Sequence, residues 1–467
     1  MGLKRIPLAY RKDVASRLGR LKDRPWFIYL DSCRDGCAGG RYDLIACDPL
    51  ATVVTRGAIT TTSQGAREAA SEGDPFEILQ AELARLLPPT GEDGIFTGGA
   101  LGYFAYDLGR RIEPLPARAI RDLDMPEMAI GLYGWAIVVD HELALAELVI
   151  HPAASCDDAL VRRAWDAQPP VTPAAFGSVF EVTSQAGPEL SFAQYAESWQ
   201  RIKRYLREGD VYQVNLTQRF SATVRGDSWD AYLRLRTINP APYSAYLALP
   251  DGEILSSSPE RFIGVVENSV ETRPIKGTRP RGRTPEEDRA LAAELAVSSK
   301  DRAENVMIVD LLRNDLGKHS VIGSVQVPKL FAVESFAKVH HLVSTVRAEL
   351  AAGVSPLTVL RDCFPGGSIT GAPKLRAMEV IEELEPQRRS VYCGAIGYLA
   401  ADGQMDTNIA IRTLLCHGGR MYCWAGGGIV MDSELDAEYA ESLAKASAML
   451  EVFARAELAH VGHQGRR

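Results

Sequence analysis

The 467-residue sequence has no excess of basic charge. Its formal net charge of -8 removes the electrostatic basis for nonspecific nucleic-acid binding and leaves any anionic ligand to a local basic cluster. Long apolar runs are missing too. The longest, near Met128 to Val139, is too short to span a bilayer. The opening Met1-Gly2-Leu3-Lys4-Arg5 leads into no apolar core of signal-peptide length, so no membrane contact and a cytoplasmic location are expected. The eight cysteines, Cys33, Cys37, Cys47, Cys156, Cys363, Cys393, Cys416 and Cys423, include no CxxC pair and no neighbouring histidine set. That argues against a zinc module and predicts reduced thiols. No repeat with a period of about 20 to 50 residues is present, which argues against solenoids and propellers.

What remains is ordinary globular composition, 46% hydrophobic and 24% charged, in a chain long enough for two domains or one large α/β body. The one composition break, Gln168 to Gly187, is rich in Pro, Ala, Ser and Gly and reads as a connection. It separates an N-terminal region, 1–167, from a larger part, 188–455, with a tail at 456–467. Ser191 is placed to cap a helix on which Phe192, Tyr195, Trp199, Ile202 and Leu206 recur at helical spacing, with Gly209 as its stop. From Val211 to Phe220 the pattern alternates: Tyr212, Val214, Leu216 and Phe220 share one face and Gln213, Asn215 and Thr217 the other. Taken alone, that polar face reads as solvated sheet surface.

A helix is predicted from Ser298, in a capping-box-like Ser298-x-x-Asp301, toward Leu312, ending before an Arg313-Asn314-Asp315-Leu316-Gly317 turn. Asp301 and Glu304 share a face of it. A second helix, with Asp436 as its cap, carries Glu438, Glu441 and Lys445 along one stripe. Ser390 to Leu399 and Met421 to Val430 read as strands. The pattern suggests an α+β architecture on antiparallel sheet.

Chemistry concentrates in three places. Thr272 to Gly282 crowds arginines around Lys276; a solvated basic loop is one explanation, and a lysine whose ammonium form is disfavoured by its neighbours, hence a nucleophile, is the other. The Gly-rich runs Phe364 to Lys374 and Ala425 to Ile429 let backbone N–H groups approach a ligand, but match neither Walker A nor GxGxxG spacing. Asp301, Glu304, Glu438 and Glu441 suit a hard cation such as Mg²⁺, unless they are simply solvated helix faces.

Together, Ser258-Pro259-Glu260, Pro274-Ile275-Lys276-Gly277-Thr278, Lys300 to Asn305, Val309 to Asp315, His341-Leu342-Val343-Ser344, Gly371-Ala372-Pro373-Lys374, Met405-Asp406-Thr407, Ile411-Arg412-Thr413 and Ala425 to Ile429 resemble the chorismate-utilising enzymes in order and spacing. The resemblance covers nearly the whole chain, including Gly98 to Tyr103. It implies a large two-layer α/β sandwich of mainly antiparallel sheets that the N-terminal region joins. Lysine in Pro-Ile-Lys-Gly-Thr resembles the branch that aminates chorismate to 4-amino-4-deoxychorismate for para-aminobenzoate and folate; anthranilate synthases typically have alanine there.

By this resemblance Lys276 is the nucleophile, Glu260 the general acid and His341 a site histidine. Glu304 and Glu438 are the principal Mg²⁺ ligands, with Asp301 and Glu441 nearby or acting through water. Thr278, Ser368, Tyr392, Arg412, Gly426, Gly427, Lys445 and Gln213 surround the substrate. Gln213 lies near the position where salicylate and isochorismate synthases place a water-activating lysine. Ser32 and Arg41 resemble the place where relatives bind tryptophan; a surface hairpin with no ligand is the alternative there. Ammonia is expected from a partner glutamine amidotransferase, because the chain shows no glutaminase set: Asp35 stands before Cys37 where a glycine belongs, and no His-x-Glu follows. The rival readings are anthranilate synthase component I and a non-catalytic amino-acid sensor.

Overall fold

The computed structural model describes residues 2–34, 40–167, 180–336 and 338–453. Its frame is a pair of large antiparallel sheets, of 13 and 12 strands among the described residues. Alternation along the strands explains why they stack. In Phe27–Asp31 and Tyr42–Ala46, Ile28 and Leu44 enter the core between the sheets, whereas Phe27, Tyr29 and Ile45 enter a second core. Successive side chains point to opposite faces of a strand, so a sheet covered on both sides needs apolar residues in both registers. The inter-sheet core also takes Leu101, Ile130, Ile263 and Ile396 from the 12-stranded sheet. Behind the 13-stranded sheet, the second core gathers Trp165, Trp229, Tyr232 and Met449 from covering helices.

Strands from before and after the composition break lie side by side in both sheets. Phe27–Asp31 pairs with Tyr243–Leu249, Tyr29 opposite Tyr246. Gly99–Phe104 pairs with Ala395–Ala400, Leu101 opposite Tyr398. Residues 168–179 of the break and the tail 456–467 lie outside the described residues, as does Cys37. No helix among the described residues is long and apolar enough to cross a membrane.

The helix Phe192–Glu208 has the expected Ser191 cap, completed by Gln194 as a capping box, and ends at Gly209 with φ 81°, a left-handed conformation that glycine adopts without cost. Other boundaries differ from expectation. The helix Ser299–Gly317 runs through the predicted turn, because Leu312, Asp315 and Leu316 stay buried and Lys374 holds Asp315 at 2.6 Å. Helix Leu435–Val452 starts after Glu434, with no side-chain cap, so Asp436 sits inside its first turn. Ser390 to Gly394 forms a turn, closed by Gly394 N–H on Val391 O at 3.0 Å, and the strand begins at Ala395. The strand Gln213–Arg225 buries its polar face as well: Gln213 is 0%, Asn215 7% and Thr217 2% exposed.

Candidate active site

Lys276 lies on Ile275–Pro280, which pairs with Val339–Glu349 so that Thr278 faces His341. The register shifts between Ile275 and Thr278, and Gly277 has φ +83°, the left-handed backbone of a glycine bulge. Such a bulge re-aims a side chain, and here the Lys276 ammonium donates to Ser368 O at 2.8 Å. Burial pushes Lys276 below the usual lysine range, against the pull of Glu304 and Glu260 and with help from the Lys445 charge.

Glu260, 4% exposed, follows Ser258, whose hydroxyl accepts from Glu260 N–H at 3.2 Å and donates to Ile409 O at 2.6 Å. Burial raises the Glu260 carboxyl above the ordinary range, while a hydrogen bond from Ser368 and the Lys276 charge oppose that rise. The environment therefore brings the proton affinities of a lysine and a carboxyl toward one another, the tuning that acid–base pairs require.

Glu304 comes from Ser299–Gly317, and Glu438, Glu441 and Lys445 from Leu435–Val452. Burial lifts Glu304, Lys276 and Lys300 hold it down, and Glu438 and Glu441 push it up again, so the three acids share one field. Glu438 is 2% exposed and accepts from Ser433 Oγ at 2.7 Å and Lys300 Nζ at 3.4 Å. For Glu441, burial is outweighed by Lys445, which sits 2.6 Å away and leaves its carboxyl below the usual range. Lys445 also donates to Gly426 O at 3.0 Å. A Cβ on Gly427 would stand 3.0 Å from Glu438 Oε2 and 3.4 Å from Glu441 Oε1; glycine here leaves the backbone open to whatever the acids hold.

The Asp301 carboxylate, one turn before Glu304, is paired with Arg279 at 3.1 Å. His341 shares a 2.9 Å hydrogen bond with Thr278 and is pushed down to about 3 by burial and then by Arg412, so its imidazole is neutral at working pH. Arg412, lowered by burial, makes no ion pair among the described residues. Tyr392 is buried and stacks on Trp424 at 5.9 Å. Gln213 lies against Gly428 with neither amide atom partnered, and Tyr195, also without a partner for its hydroxyl, feels the charges of Glu438 and Glu441.

Several supporting residues escaped the sequence reading. Arg389, 1% exposed, pairs with Glu385 at 2.7 Å and donates to Ile369 O at 2.8 Å and Asn215 O at 2.7 Å. Glu385 in turn accepts from Thr217 Oγ1 at 2.8 Å. This knot joins the Ser368 turn to the strand of Gln213. Its only sequence signal is an acid and a base four apart. Lys203, 7% exposed, donates to Ser433 O at 3.0 Å and so fastens the turn whose hydroxyl serves Glu438. Ser32 and Arg41 line a separate cavity of about 260 Å³ between the sheets, with Tyr42, Tyr243, Tyr398 and Asp406. The Ser32 hydroxyl donates to Asp43 at 2.7 Å, and Arg41 pairs with Asp140 at 2.8 Å.

A lysine of lowered proton affinity, a carboxyl of raised affinity and an uncommitted arginine, set between two stacked antiparallel layers and their helices, describe an enzyme for a small anionic substrate. The chain belongs to the chorismate binding enzyme family, whose model matches residues 27–451. It is 49% identical over 449 residues to aminodeoxychorismate synthase component 1 of Klebsiella aerogenes, covering 95% of this chain and 98% of that one. The Escherichia coli K12 protein of the same name is 48% identical over 448 residues, 95% and 97% of the two chains. The crystal structure of anthranilate synthase component I from Streptococcus pneumoniae TIGR4 matches with a TM-score of 0.77 at 32% identity, covering 88% of this chain and 92% of that one.

Proposed function

We propose that this chain aminates chorismate at C4, giving 4-amino-4-deoxychorismate, with ammonia delivered by a partner glutamine amidotransferase. The observation that carries the reading is the Lys276–Glu260 pair: an amine lowered by burial and a carboxyl raised by it, meeting at Ser368. In the reaction the Lys276 amine bonds to C2 of chorismate as both double bonds of the ring diene shift and the C4 hydroxyl departs as water with a proton from Glu260. Ammonia then bonds to C4, both double bonds shift back, the lysine leaves C2, and a proton shed by the new ammonium restores Glu260. Each step forms one bond and breaks one, and the lysine returns as a free amine.

Glu304 and Glu438 are proposed to hold Mg²⁺, with Glu441 beside them. Hard carboxylate donors fit the ion, which commonly takes one or two protein carboxylates and completes its shell with water and substrate oxygens. That complement suits a site where the described residues form no closed group of three or more ligands. When bound, the ion supplies positive charge to a chorismate carboxylate. Arg412, Lys445 and Thr278 contribute charge and hydrogen bonds to the substrate's anionic groups, and neutral His341 orients Thr278. Ser368, Tyr392, Gly426 and Gly427 shape the walls, and the unpartnered amide of Gln213 is available to the substrate or to ammonia. The cavity of Ser32 and Arg41 is proposed as a tryptophan site.

Mass spectrometry of the product from chorismate, Mg²⁺ and ammonium tests the function. The expected product is 4-amino-4-deoxychorismate with no pyruvate; anthranilate and stoichiometric pyruvate would assign the chain to the other branch.

A further inference from the structure

Asp301 has the residue type and helix position of a metal ligand, one turn before Glu304, yet its carboxylate is committed elsewhere. Its Oδ2 accepts from Arg279 Nη2 at 3.1 Å. The same guanidinium donates to Glu294 Oε1 at 2.8 Å and to the Thr278 carbonyl at 3.0 Å. On the other side, a Cβ at Gly277 would lie 2.9 Å from Asp301 Cβ, Cγ and Oδ1, so the side chain packs directly on the backbone of the bulge. Its own amide is held by Ser298 Oγ at 3.3 Å. The charges acting foremost on Glu304 come from Lys276, Lys300, Glu438 and Glu441.

We propose that Asp301 is a positioning residue for Lys276 and not a metal ligand: with Arg279 it clamps the Lys276-Gly277-Thr278 bulge and so fixes where the amine points. The proposal rests on Lys276 being the nucleophile of the reading above. The sheet pairs the strand at Ile275 and Thr278 on either side of the bulge, but Gly277 at φ +83° adds little restraint of its own between them, and a long side chain reaches the substrate accurately only if its backbone does not wander. Packing of an aspartate against Gly277 on one side and its ion pair to Arg279 on the other remove that freedom. The clamp therefore acts as a unit of two side chains, and losing either loses the whole effect.

The test uses the full chain and the variants Asp301→Asn, Arg279→Ala, Arg279→Lys, the Asp301→Asn/Arg279→Ala pair, and Glu304→Gln. Three quantities are read: amide hydrogen exchange of the 275–280 peptide, Mn²⁺ binding by electron paramagnetic resonance, and steady-state amination of chorismate. Exchange should quicken in Asp301→Asn and Arg279→Ala, with Arg279→Lys closer to the parent, while Mn²⁺ affinity stays at the parent value in both and falls in Glu304→Gln. Each clamp variant should lose about 10- to 100-fold in kcat, as expected for a misplaced reacting group, with the pair no worse than either alone. Weakened Mn²⁺ binding in Asp301→Asn with normal binding in Arg279→Ala would make Asp301 a metal ligand, and unchanged exchange would remove the clamp. Should Asp301→Asn fail to fold, exchange in the partly exposed Arg279 variants still decides the clamp, and Asp301→Ala takes its place in the Mn²⁺ measurement. A parent chain that does not aminate chorismate would overturn the functional reading alone, because exchange and Mn²⁺ binding still judge the clamp.

Discussion

The charges of Lys276 and Glu260 act on one another, and the proposed chemistry needs the rarer form of each: a neutral amine and a protonated carboxyl. Burial favours both, lowering the lysine and raising the acid, so turnover should follow a bell in pH whose two apparent limits belong to the pair. Ser368 gives the sign of a perturbation. Its hydroxyl bonds the carboxylate and so holds Glu260 down; in Ser368→Ala the carboxyl keeps its proton to higher pH, and the limb set by Glu260 moves upward in a profile of kcat/KM. An unmoved profile would contradict the pairing. Lys276 and Glu260 could be singled out in the sequence because each sits in a motif with its own spacing, and the fold brings both to Ser368. For Asp301, a helix position one turn from Glu304 says which face the carboxylate is on, but not that Arg279 pairs with it.

Among the elements, amphipathic helices with a cap and a glycine stop were legible, as Ser191, Gln194 and Gly209 show. Boundaries that depend on distant partners were not. Arg313 to Gly317 has turn-like composition, yet the helix continues because Leu316 is buried and Lys374 neutralises Asp315. The polar face of Gln213–Arg225 was equally opaque: period-2 alternation looks the same whether water or a buried ion pair meets it. The Arg389–Glu385 knot behind that strand yields a prediction about stability. Arg389→Gln leaves Glu385 buried without its partner and should cost about 3–5 kcal/mol in urea unfolding, whereas Arg389→Met combined with Glu385→Leu should recover most of the loss. A small effect of Arg389→Gln would show that the knot is spare.

At the scale of the whole molecule, a break in composition at Gln168 to Gly187 suggested two parts, while the strands from either side of it share both sheets. Composition records where the chain is loosely patterned; strand pairing between residues as far apart as Tyr29 and Tyr246 or Leu101 and Tyr398 leaves no local trace, because it is set by which faces must be buried together. The purified chain should use ammonium and not glutamine, since a glutaminase needs a nucleophilic cysteine with a histidine partner. The described cysteines do not supply one: Cys33, Cys47, Cys363, Cys393, Cys416 and Cys423 are buried, with thiols pushed up by burial, and the half-buried Cys156 is pushed up to about 11. Sustained product from glutamine in a colorimetric assay of the pure chain would refute this. The central claim, that Lys276 commits chorismate to covalent chemistry, is tested most directly by intact-peptide mass spectrometry after quenching the chain with chorismate and Mg²⁺ in the absence of ammonia. An adduct is predicted on the Lys276 peptide, absent in Lys276→Arg, which keeps the charge but not the nucleophile and should lose activity by orders of magnitude. Robust turnover by Lys276→Arg, with no adduct in the parent chain, would contradict the account.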